Sequence, residues 1–284
     1  LGRRSTYRLA DAEEVPGLFD DPTAMEAEAA RLRDFHPAEV AAVVRALPDQ
    51  QRRQLAEALD DERLADVLEE LTEEEQVRIV EGLDRERLEG VFDEMEYDDL
   101  ADLIGQMTTA QQERMLDAMD DEDEAVVRRL LSYEAGTAGG LMTPEVIILG
   151  PSSTVAEALA QVRDPDWVVS IDTQIFVCQP PFKTPTGRFL GVVHMQRLLR
   201  EAPGIELRQL LDDVPVVAPE LSDRGVAEEL ASYDLLAIPV VDDAGRLLGA
   251  VTVDDVIDRM LGTDWRKRQR HTPGSKPKVR GAAS

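Results

Sequence analysis

The sequence predicts an α plus α/β chain: a superhelix of short helical repeats followed by a duplicated α/β module. Three observations carry this. Apolar residues recur every twelve positions between Phe35 and Tyr133. After "YEAGTAGGLMTPE" (133–145) the pattern changes to short β-branched runs alternating with helical segments. Those runs are themselves repeated, 58 residues apart.

In the helical part, Leu47, Leu59, Leu71, Leu83, Met95, Met107, Met119 and Leu131 form one series. Val43, Leu55, Val67, Ile79, Val91, Leu103, Met115 and Val127 stand four residues before them. Residues four apart share a helix face. Asp60, Thr72, Asp84, Thr108 and Asp120 fall between units as N-caps, and "TEEE" (72–75) and "TTAQ" (108–111) have capping-box spacing. Helices of about ten residues are marginal alone, so neighbours must bury their apolar faces. A continuous coiled coil is the rival, but twelve is no heptad multiple and the regular caps oppose it.

In the second part, Gly136, Gly139 and Gly140 mark the join. "GRFLGVV" (187–193) and "GRLLGAV" (245–251) agree at five of seven positions, and "TVAEALA" (154–160) matches "GVAEELA" (225–231). Each unit reads strand, helix, strand, turn, strand, helix, with "DDAG" (242–245) a hairpin turn. The ends of the units differ chemically. Gly249, Thr252 and Asp255 in the second correspond to Gly191, His194 and Arg197 in the first.

A chain of 284 residues suits about two domains. Thirty-one Lys and Arg against 58 Asp and Glu leave a net charge of −27, which repels nucleic acid and favours cations or basic partners. The single Cys178 allows no internal disulfide and suggests a reducing cytoplasm; after "IFV" it reads as a small buried residue. No apolar run approaches the roughly 18 residues of a membrane span. The start does not read as a secretory signal, and Leu as first residue leaves two expectations open, a misassigned start or a missing upstream domain. His36, His194 and His271 have no ligand spacing, so a transition metal is not expected. No catalytic arrangement or phosphate-binding loop stands out, and the chain is not expected to be an enzyme.

The duplicated units resemble a tandem pair of CBS domains. In such domains the glycine, hydroxyl and aspartate form part of a nucleotide site, which implies an adenine nucleotide such as ATP at Thr252 and Asp255. Plain helix capping by Thr252 is the alternative. The whole order resembles the cytosolic region of the MgtE magnesium channel family from about residue 35 to 262: helical repeats, "AGGLMTPE", then paired units ending "YDLLAIPVVDDAGRLLGAVTVDDV". The resemblance implies a right-handed superhelix, a tandem CBS pair and a magnesium sensor whose two parts share Mg²⁺ ions. It divides the chain into an N-terminal segment (1–22), a helical-repeat domain (23–132), a linker (133–143), two CBS domains (144–203 and 204–263) and a basic tail (264–284).

Carried over by residue, Asp98 and Asp102 in "YDDLADLI" take ion-binding places, and Gly140 that of a carbonyl ligand. Asp255 matches an aspartate that bridges toward the helical domain, while Asp66 and Asp234 match two further acidic positions. Ser222 and Arg224 stand where the family has carboxylates. Asp98 and Asp102, four apart, share a helix face. Mg²⁺ wants octahedral oxygen ligands and keeps several waters, so a few carboxylates suffice. A solvated acidic face is the competing reading of "DDLAD".

After Met260 the family continues into a linking helix and a transmembrane pore, whereas here the residues from Trp265 onward contain seven Lys or Arg and no acid. The expectation is a cytoplasmic, membrane-associated homodimer, paired through its CBS domains, whose output passes to a separate membrane protein. The tail would touch an anionic membrane, dock on the chain's own acidic face, or serve as a disordered solubilising end. Two other readings stand beside this one. The first is an adenine-nucleotide-sensing CBS scaffold that grips a protein partner; the second is a piece of a transporter cut before its pore.

Overall fold

The computed structural model describes residues 29–33, 35–163 and 171–262. The expected N-terminal segment 1–22, the basic tail 264–284 and His271 lie outside them. The described residues form two compact units, one up to residue 94 and one from 95 to 262. The division therefore falls inside the helical repeats.

In the first unit, helices α1 (Pro37–Ala46), α2 (Asp49–Ala58), α3 (Asp61–Glu69), α4 (Glu73–Val80) and α5 (Arg85–Phe92) follow one another through tight turns. Packing skips a neighbour: α1 lies on α3, α3 on α5, and α2 on α4. This is how ten-residue helices bury one stripe each without a long partner. Of the sixteen residues in the two twelve-residue series, all but Val43 and Leu131, the first and last, are buried. Asp60 accepts from the Arg63 amide at 3.1 Å and Asp84 from the Arg87 amide at 3.0 Å. Thr72 builds the expected capping box with Glu75. Each such cap contributes about 1 kcal/mol. The Arg63 guanidinium also donates to the Leu32 and Phe35 carbonyls, and that of Arg87 to the Leu59 carbonyl, so helix ends that lack intrahelical partners are satisfied. His36 is an N-cap: its imidazole accepts from the Ala38 amide at 3.3 Å.

The second unit opens with three helices, α6 (Tyr97–Gly105), α7 (Thr109–Leu116) and α8 (Asp121–Leu130), of which α6 packs on both others. Thr108 and Gln111 form the second expected capping box. The short α9 (Ala138–Leu141) leads into the duplicated module. Its first half contains β1 (Val146–Leu149), α10 (Val155–Val162), β2 (Ile171–Cys178), β3 (Phe189–His194) and α11 (Met195–Leu198). The second half contains α12 (Asp223–Ser232), β4 (Ala237–Val241), β5 (Leu247–Thr252) and α13 (Val253–Leu261). β1 runs parallel to β2, and β2 antiparallel to β3. β4 and β5 form an antiparallel hairpin closed at Asp242–Gly245, with Gly245 at φ 75°. The expected first strand of the second half shrinks to a single parallel bridge between Val217 and Val240.

Period-two alternation explains the core. Ile175 and Val177 of β2, with Ile147 and Val193, pack against α10 and α11. Phe176 and Cys178 point the other way, with Val146 and Val192, onto Ala237, Leu247 and Ala250 of the second half. A strand buried on both faces reads as a continuous apolar run, as "IFVC" does. Burial pushes the Cys178 thiol up to about 11, with the Thr186 hydroxyl pulling the other way, so this thiol is packing rather than nucleophile.

The matched glycines have a backbone reason. A Cβ on Gly249 would lie 2.5 Å from the Thr143 carbonyl oxygen, and one on Gly191 2.9 Å from that of Asp212. At each place a linker crosses a strand: Thr143 pairs with Ala250, and Asp212 with Val192. No helix among the described residues is long and apolar enough to cross a membrane.

A candidate metal centre at the start of the acidic helix

Helix α6 buries Leu100, Ala101, Leu103 and Ile104, which leaves its acids on the opposite side and in the first turn. Carboxylates there suit the helix dipole. Asp98 as a residue is half-buried, but its Oδ1 is sealed from solvent and has no hydrogen-bond partner. A buried carboxylate oxygen without a partner costs free energy unless a proton or cation answers it. Burial first, then the charges of Asp99, Asp255 and Glu96, hold the Asp98 carboxyl well above the usual range.

Asp255 comes from α13. Thr252 is the N-cap of that helix and Asp255 its reciprocal partner: Asp255 Oδ2 accepts from the Thr252 amide at 3.3 Å and from its hydroxyl. These bonds favour the ionised form. Burial and the charges of Asp254 and Glu96 outweigh them, and the Asp255 carboxyl rises to about 6.

Glu145 sits beside the same helix end, its Oε2 accepting from the Tyr97 amide at 3.4 Å. Burial raises it to about 7, with Glu96 and Asp123 adding to the effect. The Tyr97 hydroxyl donates to Asp123 Oδ1 at 2.5 Å. Glu96, Tyr97, Asp123 and Glu145 were not singled out from the sequence. Glu145 lies in the quoted "AGGLMTPE", but no periodicity marks a residue whose role comes from a fold-back across 48 positions. Glu96 carried a usable signal, since it breaks the run of short capping side chains.

Among the expected ligands, Asp98 and Asp255 are brought together. Asp102 lies one turn along α6, half-buried. Gly140 belongs to α9, packed so closely that a Cβ would lie 2.7 Å from the Glu134 carbonyl oxygen. Asp234 is exposed at φ 53°, and Asp66, in the first unit, is ion-paired with Arg63 at 3.1 Å. Among the described residues no three His, Cys, Asp or Glu side chains converge closely enough to hold a metal ion directly. What the site fits is a small, hard cation that keeps its water and is held by one or two carboxylates, which is the habit of Mg²⁺.

Comparison with known proteins bears on this chemistry. Residues 35–136 match the model of the MgtE intracellular N domain, and residues 138–204 and 207–262 each match the CBS domain. A crystal structure described as the cytosolic domain of the Mg²⁺ channel MgtE in complex with ATP is 31% identical, with a TM-score of 0.76. The match covers 84% of this chain and 95% of that one. The chain belongs to the MgtE family. The magnesium transporter MgtE of Thermus thermophilus is 36% identical over 135 residues, 47% of this chain and 29% of that protein. MgtE of Enterococcus faecalis is 29% identical over 139 residues, again 29% of its length. The chain thus spans under a third of the MgtE transporters it matches. The crystallised soluble part of another magnesium transporter, 22% identical with a TM-score of 0.58, shares the fold.

Proposed function

We propose that the chain is the magnesium-sensing part of an MgtE-type system, and that Asp98 and Asp255 hold a hydrated Mg²⁺ that ties α6 to the CBS pair. The observation that carries this is the sealed, partnerless Asp98 Oδ1 beside a second carboxylate from a different element. The ion supplies positive charge where the fold has gathered only negative charge. Asp98, held by the first turn of α6, and Asp255, held by its cap with Thr252, repel one another when both are ionised. Without the ion, α6 and α13 are pushed apart; with it, the same two carboxylates become a clasp. Binding that favours the closed arrangement shifts the population by its differential affinity. Asp102 and the Gly140 carbonyl are the next candidates for the ion's water shell, and Asp66 and Asp234 for further ions.

The expected homodimer has a suitable surface. Tyr233, Leu236, Ile257, Met260 and Leu261, around α12 and α13, are large, apolar and exposed, and a second copy of the CBS pair is the occupant proposed. A transport pore is the natural output, given the relatives' names.

Nucleotide sensing is the second reading, favoured by the ATP in the crystallised relative. Against it, Thr252 and Asp255 are engaged with each other, and the first half offers Arg197 already paired with Asp212 at 2.8 Å.

Calorimetry with MgCl₂ and with ATP separates the two on the unaltered chain and on Asp98→Asn and Asp255→Asn. Magnesium binding that both variants weaken at least tenfold is expected. A chain that binds ATP and ignores magnesium overturns the proposal.

A further inference from the structure

The two hairpins of the duplicated module close differently. Cys178 pairs with Phe189 in the first half and Val241 with Leu247 in the second. Ten residues (179–188) therefore close the first hairpin and five (242–246) the second. The longer loop, "QPPFKTPTGR", is stitched down at its base. Thr186 is buried there; its amide donates to the Leu247 carbonyl and its hydroxyl accepts from the Leu247 amide, both at 3.0 Å. The Gly187 amide donates back across the loop to the Pro181 carbonyl at 3.0 Å. A loop anchored in this way presents its tip in one place.

That tip, Lys183 and Thr184, meets α8. Arg129 Nη1 donates to the Thr184 carbonyl at 2.7 Å and Nη2 to its hydroxyl at 3.3 Å. Arg129 Nε is sealed from solvent without a partner, so these two bonds are what answers the guanidinium there. In the first turn of α8, Glu122 pairs with Lys183, but the two side chains are 70% and 82% exposed and water screens them. Helix α8 is thus fastened at its last turn and only loosely at its first. Beyond it the chain is stitched down again, the Ala138 and Gly139 amides donating to the Leu221 and Pro219 carbonyls at 2.7 and 2.8 Å. The bonds that fasten the last turn and the chain beyond it use no carboxylate, so none of them changes when a cation leaves.

We propose that the lengthened first hairpin is a docking arm and Arg129 a positioning residue for magnesium: together they hold the last turn of α8 on the CBS pair with or without the ion. Because α6 packs on α8, the acidic start of α6 closes on Asp255 by rocking about Arg129. This rests on the magnesium reading above and adds to it the pivot of the movement. Fixing one end keeps Asp98 within reach of Asp255, which raises the effective concentration of each carboxylate for an ion already on the other.

The test has two readouts. Cys178 is the chain's single cysteine and is buried, so Ala125→Cys on α8 and Glu201→Cys in the first half, both exposed, accept spin labels. In the unaltered background their separation should be the same, and equally narrow, in chelator and in saturating MgCl₂. With Arg129→Gln it should broaden in chelator and narrow again with magnesium. By calorimetry, Arg129→Gln should bind magnesium roughly three- to tenfold more weakly, the loss expected when a tethered partner becomes a freer one. A chain with residues 179–187 replaced by the "DDAG" of 242–245 should lose as much. Arg129→Lys, which keeps a donor for the Thr184 carbonyl, should fall between Arg129→Gln and the unaltered chain. A label separation that broadens in chelator with Arg129 in place overturns the inference. So does magnesium affinity that neither Arg129→Gln nor the shortened hairpin lowers, and the magnesium reading then stands. If the unaltered chain binds no magnesium, that reading falls, and with it the role given to Arg129.

Discussion

Arg197 and Asp255 hold the same place in the two halves of the CBS pair, yet they meet opposite surroundings. Each lies in the first turn of a helix that follows an antiparallel strand, and each strand is crossed at its glycine by a linker. In the first half that linker brings Asp212, and Arg197 Nη1 donates to its Oδ1 at 2.8 Å. In the second half the corresponding linker residue is Thr143, and the charges acting on Asp255 are those of Asp254 and Glu96. One half carries its counter-charge covalently. On the proposed function the other half would leave that task to a diffusible ion, and a duplicated fold would thereby become a sensor on one side only.

The most forceful way to break the contrast is to copy the first half into the second. Asp255→Arg places a fixed cation among Asp98, Glu96 and Glu145. In chelator this variant should be at least as resistant to heat as the unaltered chain is in saturating MgCl₂, and added magnesium should change its midpoint little. Part of the Thr252 cap is lost, a cost of about 1 kcal/mol or less that the new ion pairs must exceed. A variant that keeps the full magnesium-dependent rise would show that the ion sits elsewhere.

Proton binding sharpens the contrast next. Asp255 rises to about 6 and Glu145 to about 7, and Asp98 is raised as well, so the folded state holds protons that the unfolded chain has already released. Their contribution is therefore most favourable near pH 4 and is lost as pH climbs through about 6 to 7. In chelator, stability by urea unfolding should fall between pH 5 and 7.5, and magnesium at pH 7.5 should restore much of the loss. Combining Asp98→Asn, Asp255→Asn and Glu145→Gln should flatten that fall. An equally steep fall in the triple variant would assign it to the general acidity of the chain.

Much of the architecture was legible because it rests on local periodicity. The twelve-residue series located helices and core together, and Asp60, Thr72, Asp84 and Thr108 cap where their chemistry says they should. Cys178 after "IFV" likewise read as a small buried residue, and it is buried. At the site, Asp98 and Asp255 came from a family pattern rather than from spacing, since 157 residues separate them. Glu145 was hidden because its carboxylate reaches α6 only after the module folds back. The loss of a full first strand in the second half was equally hidden, as "VPVVAP" has the right residues but prolines on both sides.

A smaller effect is expected at the hydroxyl of Thr252. Thr252→Ala removes the α13 cap and should cost about 1 kcal/mol. It also frees the Asp255 carboxylate from the Thr252 hydroxyl, while the backbone amide at 252 remains a donor, so the magnesium-dependent gain should survive and grow slightly. If that gain disappears instead, Thr252 itself contacts the ligand, and the nucleotide reading regains ground.

The smallest change belongs to the half that needs no ion. Arg197 and Asp212 are 40% and 33% exposed, so water and salt screen their attraction. Arg197→Gln should therefore cost only about 0.5 kcal/mol, shrink further in high salt, and leave the magnesium response untouched. The comparison depends on this insensitivity. If removing Arg197 made the first half responsive to magnesium, its guanidinium would be standing in for an ion at a second seat, and the two halves would differ in occupancy rather than in kind.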